Sequence, residues 1–133
     1  MKDSQLLHEA RRVLVHAYAP YSGYRVAAAL LAGDGKVYTG VNVENASYGL
    51  TLCAERAALV AAVSAGQRRF STLGVVSEKK PDPVPCGACR QALAEFAPDC
   101  RVLVSAAGGE ETLYRLADLL PRPFSYHAET NHE

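Results

Sequence analysis

The 133-residue chain has no Trp, one Met and only three Phe. Its 49% hydrophobic content leans instead on small side chains, 22 of them Ala, which argues against a core built on bulky aromatics. Small residues let backbones approach closely, which suits helices packed hard against a sheet or between subunits. Net charge is also missing, since 14 Lys and Arg balance 14 Asp and Glu. With no basic footprint for a polyphosphate backbone, tight nonspecific nucleic-acid binding is not expected. No window approaches the roughly 20 apolar residues of a membrane span, and the stretch from Ala27 to Ala32 is far too short. The start, Met1-Lys2-Asp3-Ser4-Gln5, leads into an amphipathic helix without the apolar region and cleavage site of a signal peptide, so a cytoplasmic location is expected. In that reducing compartment the four cysteines read as metal ligands, catalytic groups or buried fillers rather than disulfides.

The length suits one domain, residues 1–133. From Ser4 to Ala17, apolar residues recur at steps of three and four and predict a helix, which stops at Pro20 and Gly23. Arg25 to Leu31 and Lys36 to Asn42 flank an Asp34-Gly35 turn and predict an antiparallel strand pair. Val43 to Leu52 reads as a structured loop. Cys53 to Ala65 reads as a second helix, almost wholly apolar after Arg56, and so buried at the back of a sheet or in a subunit interface. A strand is expected at Thr72 to Ser77, a proline-rich loop to Pro85, and a third helix from Cys86 to just before Pro98. Strands at Arg101 to Ser105 and Glu111 to Tyr114 complete the pattern. Strands alternating with helices predict an α/β fold: a three-layer α/β/α domain with a mixed five-stranded sheet.

The chemistry concentrates where two of these helices begin. Cys53-Ala54-Glu55 opens one, and Pro85-Cys86-Gly87-Ala88-Cys89 opens the other. Thiolates are soft ligands for zinc, and a Cys-x-x-Cys at a helix start fills two tetrahedral corners while the helix N-terminus stabilises the sulfur charge. Cys53 can supply the third corner, which leaves the fourth open to water, as in catalytic rather than structural zinc sites. Glu55 then stands where a carboxylate can take a proton from that water and return it to a substrate nitrogen. A Cys two residues before a Glu, followed further on by Pro-Cys-x-x-Cys, is the pattern of the zinc deaminases.

At these residues the chain resembles the cytidine deaminase family in its small homotetrameric form. The resemblance covers nearly the whole chain and includes residues 18–22 (Tyr-Ala-Pro-Tyr-Ser), Gly40 to Asn45, Cys53 to Arg56, Pro85 to Gln91, and Leu119-Leu120-Pro121 before Phe124. It implies one zinc ion per subunit on Cys53, Cys86 and Cys89, with Glu55 moving protons. It also implies that Asn42 and Glu44 hydrogen-bond the ribose. Tyr24, Ala46, Tyr48 and Ala54 would join the substrate site, with Phe124 stacking on the pyrimidine in a neighbouring subunit's site. The activity implied is hydrolytic deamination of free cytidine and 2′-deoxycytidine in pyrimidine salvage, on a nucleoside and not a nucleic acid or membrane. Water would add at C4, with backbone groups near Ala54 and Cys86 holding the base edge.

Residue type alone leaves plainer alternatives beside several of these roles. Asn42 and Glu44 could simply cap a strand end, although their donors and acceptors also suit a sugar hydroxyl. Arg56 could be a solvated charge, or could offset the net negative charge of three thiolates on one zinc ion. Two positions depart from the family pattern: Tyr24, where Phe is expected, and Val84, where a small polar residue is common. Cys100 reads as a buried thiol without a role. It would acquire one in a rival reading, a non-catalytic module in which a fourth cysteine closes a structural zinc site. Blasticidin-type aminonucleoside deamination is the nearest enzymatic rival, and the Asn42-Val43-Glu44-Asn45 stretch favours cytidine. His8, His16, His127 and His132 lack ligand spacing and receive no function.

Overall fold

The computed structural model describes residues 1–126, so His127 and His132 lie outside the described residues. Five strands form one sheet in the order β2-β1-β3-β4-β5: β1 Val26–Ala32, β2 Val37–Val41, β3 Phe70–Ser77, β4 Arg101–Ala106 and β5 Thr112–Arg115. β3 and β4 run parallel and every other pairing is antiparallel, which gives the expected mixed sheet. α1 (Asp3–Val13) covers one face; α2 (Ala54–Ser64) and α3 (Gly87–Ala94) cover the other, and a short α4 (Leu116–Leu119) follows β5.

Strand periodicity divides the core. Ala27 and Ala29 of β1 pack with Leu6, Leu7 and Ala10 of α1, while Ala28 and Leu30 join Ala54, Ala58 and Ala62 of α2 on the opposite face. β1 is thus buried on both sides, and its run of small and aliphatic residues reflects that. The alanine excess finds its use between α2 and the sheet. A β-carbon added at Gly40 on β2 would lie 2.3 Å from the Ala58 nitrogen and 2.6 Å from the Ala54 oxygen, so only glycine admits this approach.

Differences from the sequence reading lie at element ends and in two short helices it did not anticipate, the 3-10 turn Tyr48–Leu50 within the expected loop and α4 after β5. The first helix tightens into a 3-10 turn at Leu14–His16, so the predicted stripe to Ala17 is only partly α-helical. β3 begins two residues earlier than expected, at Phe70, opposite an irregularity between Leu31 and Ala32. Cys53 and Cys86 are the caps of α2 and α3 rather than their first helical residues. One face of α2 is buried, but Val60 and Ala61 on its other side are exposed in the isolated chain. Among the described residues no helix is long and apolar enough to cross a membrane.

Replacing Gly40 with Ala should push α2 off β2 and cost stability at or above the upper end of the ~1–3 kcal/mol typical of overpacking. Guanidinium unfolding checks this, and an unchanged midpoint would mean that the close approach is not obligatory.

Candidate metal centre and substrate cleft

The register places the C-terminal ends of β2 and β3 and the N-terminal end of β1 on one edge of the sheet, because Ala27 pairs with both Val41 and Val76. α2 and α3 both begin at that edge. Their N-termini carry Cys53, Cys86 and Cys89, whose three sulfurs lie within 4.8 Å of one another. Cys53 Sγ and Cys86 Sγ are 3.8 Å apart. Sulfurs at the ~2.3 Å zinc distance of a tetrahedral site are themselves about 3.8 Å apart, the separation of the Cys53 and Cys86 sulfurs, so the cluster is of a size to hold zinc.

Arg56, one turn into α2, donates from Nη2 to Cys53 Sγ at 3.4 Å, which decides between its two sequence readings in favour of the sulfur. Its Nε is buried and has no hydrogen-bond partner among the described residues. Hydrogen bonds from Cys89 and Arg56 pull the Cys53 thiol down to about 5, while the Cys89 thiol, donating to Cys53 and buried, is pushed well up. Glu55 is 5% exposed, and burial raises its carboxyl to about 7, with the charge of Cys53 adding to the rise.

A cleft of about 210 Å³ opens onto this cluster. Its lining includes Tyr24, Asn42, Thr51, Cys53, Ala54, Glu55, Val84 and Cys86, and thus gathers residues from four separate stretches of sequence. Asn42 is buried, accepting from the Val26 N–H at 2.9 Å and donating to the Tyr24 carbonyl at 2.8 Å. The strand-capping alternative is therefore real for Asn42, yet each of its amide atoms retains capacity for a further bond. The Tyr24 hydroxyl, the atom by which this chain departs from the expected Phe, donates to the Pro81 carbonyl.

A second hollow, about 300 Å³, shares Thr51 with the first and is lined by Tyr21, Ser22, Glu44 and Tyr48. The Glu44 carboxylate accepts from the Tyr21 and Ser22 backbone N–H groups at 2.9 and 3.0 Å and from the Ser22 hydroxyl. The hydroxyl bond is the largest cause of its lowered pKa. Tyr48 stands edge-on to Tyr21, with ring centroids 5.8 Å apart. Ala46 is exposed and joins neither lining. Phe124 also lies outside both; its side chain is exposed, and its backbone N–H and carbonyl pair with the Gln91 amide at 2.9 and 3.0 Å. Sequence reasoning gave no role to Thr51, nor to Ser22 and Gln91 within the stretches it named; the bonds of Ser22 to Glu44 and of Gln91 to Phe124 span 22 and 33 residues and leave no local periodicity to read.

Cys100 is buried, and its thiol donates to the Arg101 carbonyl instead of joining the cluster. This removes the fourth ligand that a structural zinc module needs. His8 and His16 are exposed and take no part in it.

Three thiols at two helix starts, with no fourth metal ligand beside them among the described residues and a buried carboxylate in the adjoining cleft wall, define a hydrolytic metal centre on an α/β/α sandwich. Residues 1–106 match the family model described as the cytidine and deoxycytidylate deaminase zinc-binding region. A cytidine deaminase from Halalkalibacterium halodurans is 45% identical over 126 residues, covering 94% of this chain and 96% of that protein. The crystal structure of cytidine deaminase from Burkholderia pseudomallei superposes with a TM-score of 0.88 at 45% identity, over 93% of this chain and 100% of that one. Blasticidin-S deaminase of Bacillus cereus is more distant, 32% identical over 115 residues, 80% of this chain and 81% of that protein. The chain belongs to the cytidine and deoxycytidylate deaminase family, and zinc is the metal of its centre.

Metal analysis should find that Cys100→Ser retains the zinc content of the unaltered protein, whereas Cys53→Ser loses most of it. Loss in the Cys100 variant, measured on folded protein, would restore the four-cysteine reading.

Proposed function

We propose that this protein deaminates free cytidine and 2′-deoxycytidine hydrolytically, yielding the uridines and ammonia. The observation that carries the reading is Glu55 buried at the wall of a cleft that also exposes the cysteine cluster. The similarity to cytidine deaminases over nearly the whole chain supports the choice of substrate. Cys53, Cys86 and Cys89 would hold the zinc ion, which would supply the Lewis acidity needed for water to act as a nucleophile near neutral pH. Glu55 takes a proton from the attacking water and delivers it to N3. As the C4–N bond breaks, the same carboxylate takes the proton of the hydroxyl added at C4, which becomes the carbonyl, and passes it to the leaving amine, so that water and cytidine become uridine and ammonia. Arg56 offsets the charge of the thiolates. Ala54 and Cys86 offer backbone groups to the base edge, and Tyr24 packs at the wall nearest the sugar. Asn42 and Glu44, with Tyr48 close by, face the ribose, Asn42 through its remaining donor and acceptor.

We also read the chain as a single domain that works as a homotetramer in the cytoplasm, within pyrimidine salvage. Exposed Val60 and Ala61 on α2 support subunit packing, and Phe124, 76% exposed on a fixed backbone, supports contribution of its ring to a neighbour's site; Ala46, also exposed, is read as part of the substrate site by family resemblance. Zero net charge agrees with a nucleoside rather than a polynucleotide substrate.

Glu55→Gln should keep its zinc while uridine formation from cytidine falls by on the order of 10²–10⁴. Metal content and turnover measured on one sample check this, and undiminished turnover would remove Glu55 from the chemistry. Sedimentation should give a tetramer; a fully active monomer is the contrary result.

A further inference from the structure

The loop from Glu78 to Pro85 delivers Val84 to the cleft and Cys86 to the sulfur cluster, yet Pro81, Pro83 and Pro85 have no N–H with which to brace it. Within it the Val84 N–H donates to the Asp82 carbonyl at 2.9 Å, and three other carbonyls are held by side chains outside the loop. Ser77 Oγ donates to the Lys79 carbonyl at 2.8 Å, the Tyr24 hydroxyl to that of Pro81, and Arg90 Nε to that of Pro85 at 2.7 Å. Only the last acts on the residue directly before a metal ligand.

The three ligands are not equally constrained. Cys89 is buried within the first turn of α3, and Cys53 accepts a bond from Arg56. Cys86 is the exposed member, capping α3 with extended backbone angles of φ −69° and ψ 170°, so the helix ladder does not fix the peptide that precedes it. Arg90 supplies that constraint. While Nε holds the Pro85 carbonyl, Nη1 donates to the Leu119 carbonyl at the end of α4 at 3.0 Å. A guanidinium is a rigid planar fork, so two acceptors on one fork fix each other's position. Gln91, the next residue, binds both backbone groups of Phe124 and so anchors the far end of the same segment to α3.

We propose that Arg90 is a positioning residue for Cys86: it locks the Pro85 carbonyl against Leu119 and so sets the approach of the Cys86 thiolate to zinc. It acts through the backbone rather than on the sulfur, unlike Arg56. The inference rests on zinc being held by the three cysteines.

The test is competition for zinc between the full-length holoprotein and a chromophoric chelator, with the melting temperature of each sample. Arg90→Lys keeps the charge but cannot span both carbonyls, and should lose zinc affinity on the order of tenfold or more. Arg101→Gln, which breaks the Arg101–Asp3 pair at 2.9 Å on the opposite edge of the sheet, should lower the melting temperature and leave zinc affinity unchanged. Unaltered affinity in Arg90→Lys, or equal losses in both variants at matched melting temperature, overturns the inference. Arg90→Gln should reproduce the loss, and if it fails to fold, Arg90→Lys carries the test alone. A wild-type chain that takes up no zinc would overturn the metal reading as well, a result distinct from the others.

Discussion

Cys53 caps α2 and Cys86 caps α3, so the two helices can share one ion only if their N-termini reach the same edge of the sheet. The antiparallel placement of β1 between β2 and β3 satisfies that requirement, because it aligns the C-terminal ends of the two strands that lead to these helices. Sulfur atoms 33 residues apart in sequence then come within 3.8 Å. The same convergence aims two helix dipoles at the cluster and favours thiolate over thiol. Fold and metal centre are in this sense a single constraint: strand order determines whether the ligands meet.

Burial around the cluster separates the roles of two adjacent side chains. Glu55 turns inward, where desolvation raises its carboxyl to about 7. Arg56 turns toward Cys53 and keeps its charge, since its guanidinium is further stabilised by sulfur. Successive residues at a helix start point in different directions, so one short motif serves both purposes.

The layers of the sandwich and the cysteine cluster were legible because both leave local marks: apolar spacing for the helices, an Asp-Gly turn between two apolar segments for the hairpin, and Cys-x-Glu with Pro-Cys-x-x-Cys for the centre. Element ends were less legible, as the 3-10 turn at Leu14–His16 and the early start of β3 show, because hydrogen-bond completion at ends depends on tertiary neighbours. The network around Glu44 left no mark, since backbone N–H groups of Tyr21 and Ser22 supply most of it and no side-chain pattern encodes them. Arg90 and Gln91 look like ordinary polar residues on a helix; their partners at Leu119 and Phe124 are 29 and 33 residues away.

The close seam between α2 and Gly40 has a bearing on how this cleft can change. Backbone meets backbone there, so the floor that carries Cys53, Ala54 and Glu55 offers no side chain whose size could be traded for a different pocket shape. The rim is built otherwise, from side chains on loops: Tyr24, Thr51 and Val84. Variation in ligand preference, whether by evolution or by design, is thereby channelled to the rim, while the reactive floor is inherited as a fixed unit.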